Sequence, residues 1–214
     1  MVSIAVIDYD MGNLHSACKG LEKAGATPHV TDSAADLDRA DAVILPGVGA
    51  FDPAIQQLRS RDLIQPIKDV IAKGTPFLGI CLGLQILLDG SEEGVEPGLG
   101  VVPGMVRRFH PEPSITIPQI GWNQLDLTQP ESPLWADLPA SPWVYFVHSF
   151  YADPADASVR AATVTHGTQA VTAAIARDNL MAVQFHPEKS STAGLQILAN
   201  FVHLVQSRCV AVEV

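Results

Sequence analysis

The segment Gly79-Ile80-Cys81-Leu82-Gly83 sets one thiol between two glycines, where the apolar run Pro76 to Ile80 gives way to helical spacing. A strand that turns sharply into a helix forces its central residue into a strained backbone and aims that side chain out of the sheet, and only flanking glycines leave room for it. A thiol placed there meets the free N–H groups of a helix start, which favour the thiolate. A cysteine packed beside two packing glycines is the bland alternative. The buried strand expected before the turn favours a nucleophile.

A thiolate that attacks an amide needs donors for the oxyanion that forms. The Leu82 N–H, next after the nucleophile, is the first expected donor. Pro46-Gly47-Val48-Gly49-Ala50-Phe51 follows another apolar run and is expected to bring the backbone of Val48 and Gly49 to the same edge of the sheet. Alone, it also reads as an ordinary strand-end turn, and it lacks the Lys-Ser/Thr continuation of a phosphate loop. The third piece, His186-Pro187-Glu188, closes the apolar run Met181 to Phe185. Residues two apart in an extended chain face the same way, and Pro187 favours an extended His186, so His186 is the expected base and Glu188 its orienting carboxylate. His148 ends a second strand-like run but has no acid two residues away, and is assigned to the site wall or to structure. The other histidines are scattered without metal-ligand spacing, so neither metal nor cofactor is expected.

These residues need a scaffold. Ser3 to Asp8 reads as a buried strand, and Leu14, Ala17, Cys18, Leu21 and Ala24 recur at helical spacing before Gly25. A short strand is expected at Pro28 to Thr31, another at Asp41 to Leu45, and a discontinuous helical face from Asp52-Pro53 to Gly74. A helical segment is expected from Leu82 to Leu88 and a last helix from about Ala193 to Gln206. Strands alternating with helices imply a largely parallel sheet covered on both faces. From Leu99 to Phe185, short β-like runs such as Trp143 to Val147 are expected to extend that sheet in mixed fashion. The acidic stretch Asp89 to Gly100 reads as a surface loop.

The 214 residues, 47% apolar, suffice for one core, and one domain over 1–214 is expected. Thirteen basic against twenty-three acidic side chains give a formal charge of -10, which argues against nucleic acid and anionic membranes as partners. No signal-like or bilayer-length apolar run is evident, so a cytoplasmic address is expected. Cys18, Cys81 and Cys209 suggest neither a disulfide framework nor a zinc site.

The cysteine elbow, the upstream glycine-rich turn and the downstream His-Pro-Glu, in that order, resemble class I, triad-type glutamine amidotransferase domains. Asp8-Tyr9-Asp10-Met11-Gly12-Asn13-Leu14, the Pro-Gly-Val-Gly turn, Cys81-Leu82-Gly83-Leu84-Gln85, Gly121-Trp122-Asn123 and His186-Pro187-Glu188-Lys189-Ser190 resemble, more finely, the glutaminase subunits of imidazole glycerol phosphate synthases. The resemblance implies a flavodoxin-like three-layer α/β fold, a glutamyl thioester on Cys81, and glutamine held by Gly49, Gln85, Glu93, His148 and Ser149. It also implies a separate (β/α)₈-barrel cyclase partner of histidine biosynthesis, met through Trp122, Asn123, Tyr145 and Lys189. A glutaminase of another synthase, such as anthranilate or pyridoxal-phosphate synthase, is the alternative within enzymes. A non-catalytic binding subunit, or a peptidase or chaperone of similar fold, would need a broken or differently placed triad.

Overall fold

The computed structural model describes residues 2–212; Met1, Glu213 and Val214, which the expected 1–214 domain includes, lie outside the described residues. The amino-terminal part follows the expected alternation: β1 (Ser3–Ile7), α1 (Leu14–Lys23), β2 (Thr27–Thr31), α2 (Ala34–Arg39), β3 (Ala42–Gly47), α3 (Phe51–Ser60), α4 (Ile64–Lys73), β4 (Phe77–Cys81) and α5 (Leu82–Gln85). The discontinuous face after Asp52 is two helices, parted where Asp62 takes a positive φ of 55°. There follow β5 (Gly90–Ser91), β6 (Gly104–Arg108), β7 (Gln119–Gln124), β8 (Asp126–Leu127), β9 (Trp143–His148), β10 (Phe150–Pro154), β11 (Arg160–His166), β12 (Gln169–Arg177), β13 (Leu180–Val183) and α6 (Ser191–Val212).

Eight strands form the central sheet in the order β2-β1-β3-β4-β13-β12-β11-β8. The pairs β1–β2, β1–β3, β3–β4 and β4–β13 are parallel, and β13–β12, β12–β11 and β11–β8 are antiparallel. The inner strands β3, β4 and β13 are buried along their whole length, as continuous apolar runs covered on both faces should be. Alternate side chains feed two cores. Ile4, Val6, Ile44 and Leu78 pack with Leu21 of α1 and Leu198 and Phe201 of α6; Ile7, Val43, Leu45 and Phe77 pack with Ile55, Leu58 and Ile67 of α3 and α4.

The late strands do not all extend this sheet. β7 and β9 pair only with each other as an antiparallel ribbon, and β10, β6 and β5 make a separate three-stranded sheet. The segment after α5 also departs from a plain surface loop. The helix expected to reach Leu88 stops at Gln85, because the carbonyls of Ile86, Leu87 and Leu88 accept N–H bonds from Leu99, Val101, Val102 and Gly100 instead of continuing the helix. Leu99 is buried, and Asp52 at the start of α3 clips the segment by accepting from the Val95 and Glu96 N–H groups.

Candidate active site

Cys81 ends β4 with φ 55° and ψ −107°, a strained backbone that the next residues, the single turn α5, hold in place. The need for glycine at Gly83 is steric, since a methyl group there would collide with the Leu45 carbonyl of β3. With α5 only four residues long, its electrostatic contribution comes from free N–H groups rather than from a long helix dipole. Cys81 as a whole is 7% exposed.

His186 follows β13 and is 2% exposed; its Nδ1 lies 2.8 Å from Glu188 Oε1. The pairing arises differently from the expected extended alternation. His186 is extended, but Pro187–Lys189 form a 3₁₀ turn that carries Glu188 round to the ring. Burial alone would lower the imidazole, yet the Cys81 sulfur and the Glu188 carboxylate outweigh it and raise His186 to about 9. Its Nε2 is buried without a closed hydrogen bond, as is Glu188 Oε2. A base–thiol contact that is open at rest commonly tightens only when substrate is bound.

A pocket of about 370 Å³ opens beside the thiol. Val48, Gly49, Cys81, Leu82, Gln85, Glu93, His148, Ser149 and His186 all line it, so the nucleophile, the base, both expected oxyanion residues and all five expected substrate residues meet at one cavity. Glu188 stands behind His186, against α1, where a small void also touches Asn13. Gln85 caps no helix: its Nε2 donates to the Phe150 carbonyl at 2.9 Å and to Gln184 Oε1 at 3.0 Å. Glu93 accepts from the Phe51 N–H at 2.9 Å. Burial pushes His148 down to about 4, so it is neutral, with Nδ1–H donating to the Phe150 carbonyl at 2.8 Å and Nε2 left unpaired. The Val48 N–H is already engaged, donating to the Met11 carbonyl at 2.6 Å.

Gln184 is a site residue that motif reading passed over. Its Nε2 lies 3.7 Å from Cys81 Sγ, so a buried chain runs from the Phe150 carbonyl through Gln85 and Gln184 to the sulfur. The signal was its place in the sequence, two residues before His186, although the chain bends at Gln184 and Phe185 rather than continuing the strand.

The four residues expected at a partner surface divide. Trp122 is 49% exposed and meets Tyr145 edge-on across the β7–β9 ribbon, so it is no core aromatic. Ile120 opposite Val147 and Trp143 opposite Gln124 continue this face as an exposed apolar stripe. Lys189 is exposed at the rim of the pocket. Asn123 is turned the other way and donates to the Thr165 carbonyl of β11, tying the ribbon to the main sheet.

A three-layer fold with a cysteine elbow, a His-Glu pair and a pocket at the carboxyl ends of β3, β4 and β13 defines a class I glutamine amidotransferase domain, and the family model "Glutamine amidotransferase class-I" matches residues 5–205. Full-length relatives narrow this, and the chain belongs to the family of the imidazole glycerol phosphate synthase subunit HisH. It is 72% identical over 211 residues to that subunit of Trichormus variabilis and 69% identical over 211 residues to that of Gloeothece citriformis, in each case covering 99% of this chain and 100% of the relative. Among solved structures, a putative GMP synthase protein from Thermoplasma acidophilum superposes with a TM-score of 0.74 at 19% identity, covering 100% of this chain and 98% of that one. The PurLQS structure from Thermotoga maritima gives 0.74 at 17%, covering 96% and 100%. These two likenesses establish the fold.

Proposed function

We propose that the chain hydrolyses L-glutamine to L-glutamate and ammonia at Cys81, in the cytoplasm, and delivers the ammonia to a (β/α)₈-barrel cyclase subunit that makes imidazole glycerol phosphate and aminoimidazole carboxamide ribotide. The observation that carries this reading is the meeting of Cys81 and His186, with Glu188 paired to the imidazole from behind, at one pocket of about 370 Å³, a size that suits a small amino acid. The thiolate attacks the side-chain amide carbon, and the oxyanion takes N–H bonds from Leu82 and, once it turns inward, from Val48. The protonated His186, held by Glu188, gives its proton to the departing nitrogen, releasing ammonia and leaving a glutamyl thioester. Water, deprotonated by His186, attacks the thioester; glutamate leaves and the thiol is restored. Gly49, Gln85, Glu93, His148 and Ser149 hold the substrate, with the Glu93 carboxylate suited to its α-ammonium group.

Two features support a partner-controlled enzyme. The Val48 N–H is occupied by Met11, so the oxyanion site has one donor fewer at rest. The apolar stripe of Ile120, Trp122, Trp143 and Val147 is also the kind of exposed face that marks a docking surface.

Glutamate release is the direct assay: the chain alone, with the cyclase subunit, and with that subunit plus its phosphorylated ribulosyl-aminoimidazole carboxamide substrate, each repeated with Cys81→Ala. Strong stimulation that disappears in the variant is expected. Hydrolysis indifferent to the cyclase would move the chain to another synthase, and hydrolysis surviving Cys81→Ala would refute the thiol mechanism.

A further inference from the structure

The Tyr9 hydroxyl has no part in the chemistry described so far. Tyr9 follows β1, is fully buried, and packs its ring in the apolar cluster of Leu45, Phe51 and Leu82. Among the described residues its hydroxyl has no hydrogen-bond partner. Burial and, secondarily, the charge of nearby Cys81 push the phenol well above its usual range, so the group keeps its proton. A buried donor left unmade is costly, and in a native fold it asks for a reason.

Its surroundings supply one. The hydroxyl fills the space where Gly47 lacks a side chain: a methyl group added at Gly47 would collide with it, and Leu82 Cβ and the Gly83 nitrogen border the same space. The Tyr9 hydroxyl therefore lies against Gly47, the residue whose carbonyl joins Val48, and beside the cysteine elbow. Two residues further along the same segment, the Met11 carbonyl holds the Val48 N–H. In a planar trans peptide, N–H and C=O point in opposite directions. When this peptide turns over, Val48 N–H leaves Met11 for the oxyanion site, and the Gly47 carbonyl swings toward the side that the N–H vacated. That side carries the Met11 carbonyl, an acceptor that would repel it, while the Tyr9 hydroxyl, against Gly47 itself, is a donor without an acceptor.

We propose that Tyr9 is a positioning residue of the oxyanion loop, whose hydroxyl, unpaired at rest, donates to the Gly47 carbonyl in the turned state and so favours the geometry in which Val48 N–H faces the thioester chemistry. The proposal rests on the reading of Val48 as an oxyanion donor. It differs from a structural role for Tyr9, because the resting fold gains nothing from the hydroxyl.

Tyr9→Phe removes the hydroxyl and keeps the ring. Glutamine hydrolysis should be measured for wild type, Tyr9→Phe and Cys81→Ala, both for the chain alone and for its complex with the cyclase and the cyclase substrate, together with the Tm of each free chain. The expected result for Tyr9→Phe is a kcat lower by about 3- to 10-fold in the chain alone, the worth of one neutral hydrogen bond, at unchanged KM for glutamine. The deficit should shrink in the loaded complex, where partner binding already drives the loop over. The Tm should stay level or rise. A kcat equal to wild type in both settings would overturn the proposal, as would a lowered Tm, which would reveal a partner for the hydroxyl at rest. A wild type that hydrolyses no glutamine in either setting, or a Cys81→Ala that still does, would instead overturn the glutaminase reading and the role of Tyr9 with it.

Discussion

His148 and His186 stand beside one pocket, yet their surroundings move their protonation in opposite directions. His148 is held neutral down to about 4, whereas in the unfolded chain it takes up a proton below about 6.5. The unfolded state therefore binds more protons between these values, and folding should lose up to about 3 kcal/mol as pH falls through that window. His186, raised to about 9, gives the opposite slope: its contribution is complete below about 6.5 and is lost as pH rises through about 9. Urea unfolding followed from pH 4 to 10 should show both slopes, with His148→Gln flattening the acid one. Gln184→Leu should slow Cys81 alkylation by iodoacetamide, because the side chain bonded to the sulfur is lost. The triad was legible in the sequence because its members sit in short motifs with a local logic. The Gln184 bond to Cys81, the Tyr9 hydroxyl against Gly47 and the Met11 hold on Val48 join residues tens of positions apart, and only the closed sheet brings them together.

At the scale of elements, the buried parallel strands announced themselves as apolar runs, and the helices α1, α3, α4 and α6 as periodic faces. Elements that bury little left no such trace. The helix α2 buries only Leu37, so no stripe marks it, and β5 and β8 are two residues long. The end of α5 was illegible for another reason: its apolar residues continue to Leu88, while its carbonyls are taken by a segment more than ten residues further on. That segment positions Glu93 at the pocket through the clip of Asp52 on Val95 and Glu96. Asp52→Ala should release it at a cost of about 1 kcal/mol in stability. In steady-state assays its KM for glutamine should rise several-fold with kcat nearly kept, and an unchanged KM would show that the clip does not hold the substrate pocket.

Over the whole molecule, the pocket and the exposed ribbon lie side by side, with Val147 belonging to both. Trp122→Ala should weaken the complex with the cyclase by about tenfold or more, as loss of a central aromatic anchor does, while leaving the Tm of the free chain nearly unchanged. Titration calorimetry against the purified cyclase would check the first effect and a thermal melt the second. The ribbon is also bonded into the site. The Tyr145 carbonyl accepts the His186 N–H at 3.0 Å, the Tyr145 N–H donates to Ser190 Oγ at 2.9 Å, and that hydroxyl donates back to the His186 carbonyl at 2.7 Å. An engineer wishing to reassign this glutaminase to a different synthase could not transplant a new docking ribbon as a module. Any graft that shifts the backbone at Tyr145 shifts the imidazole with it, so partner choice and proton transfer would have to be redesigned together.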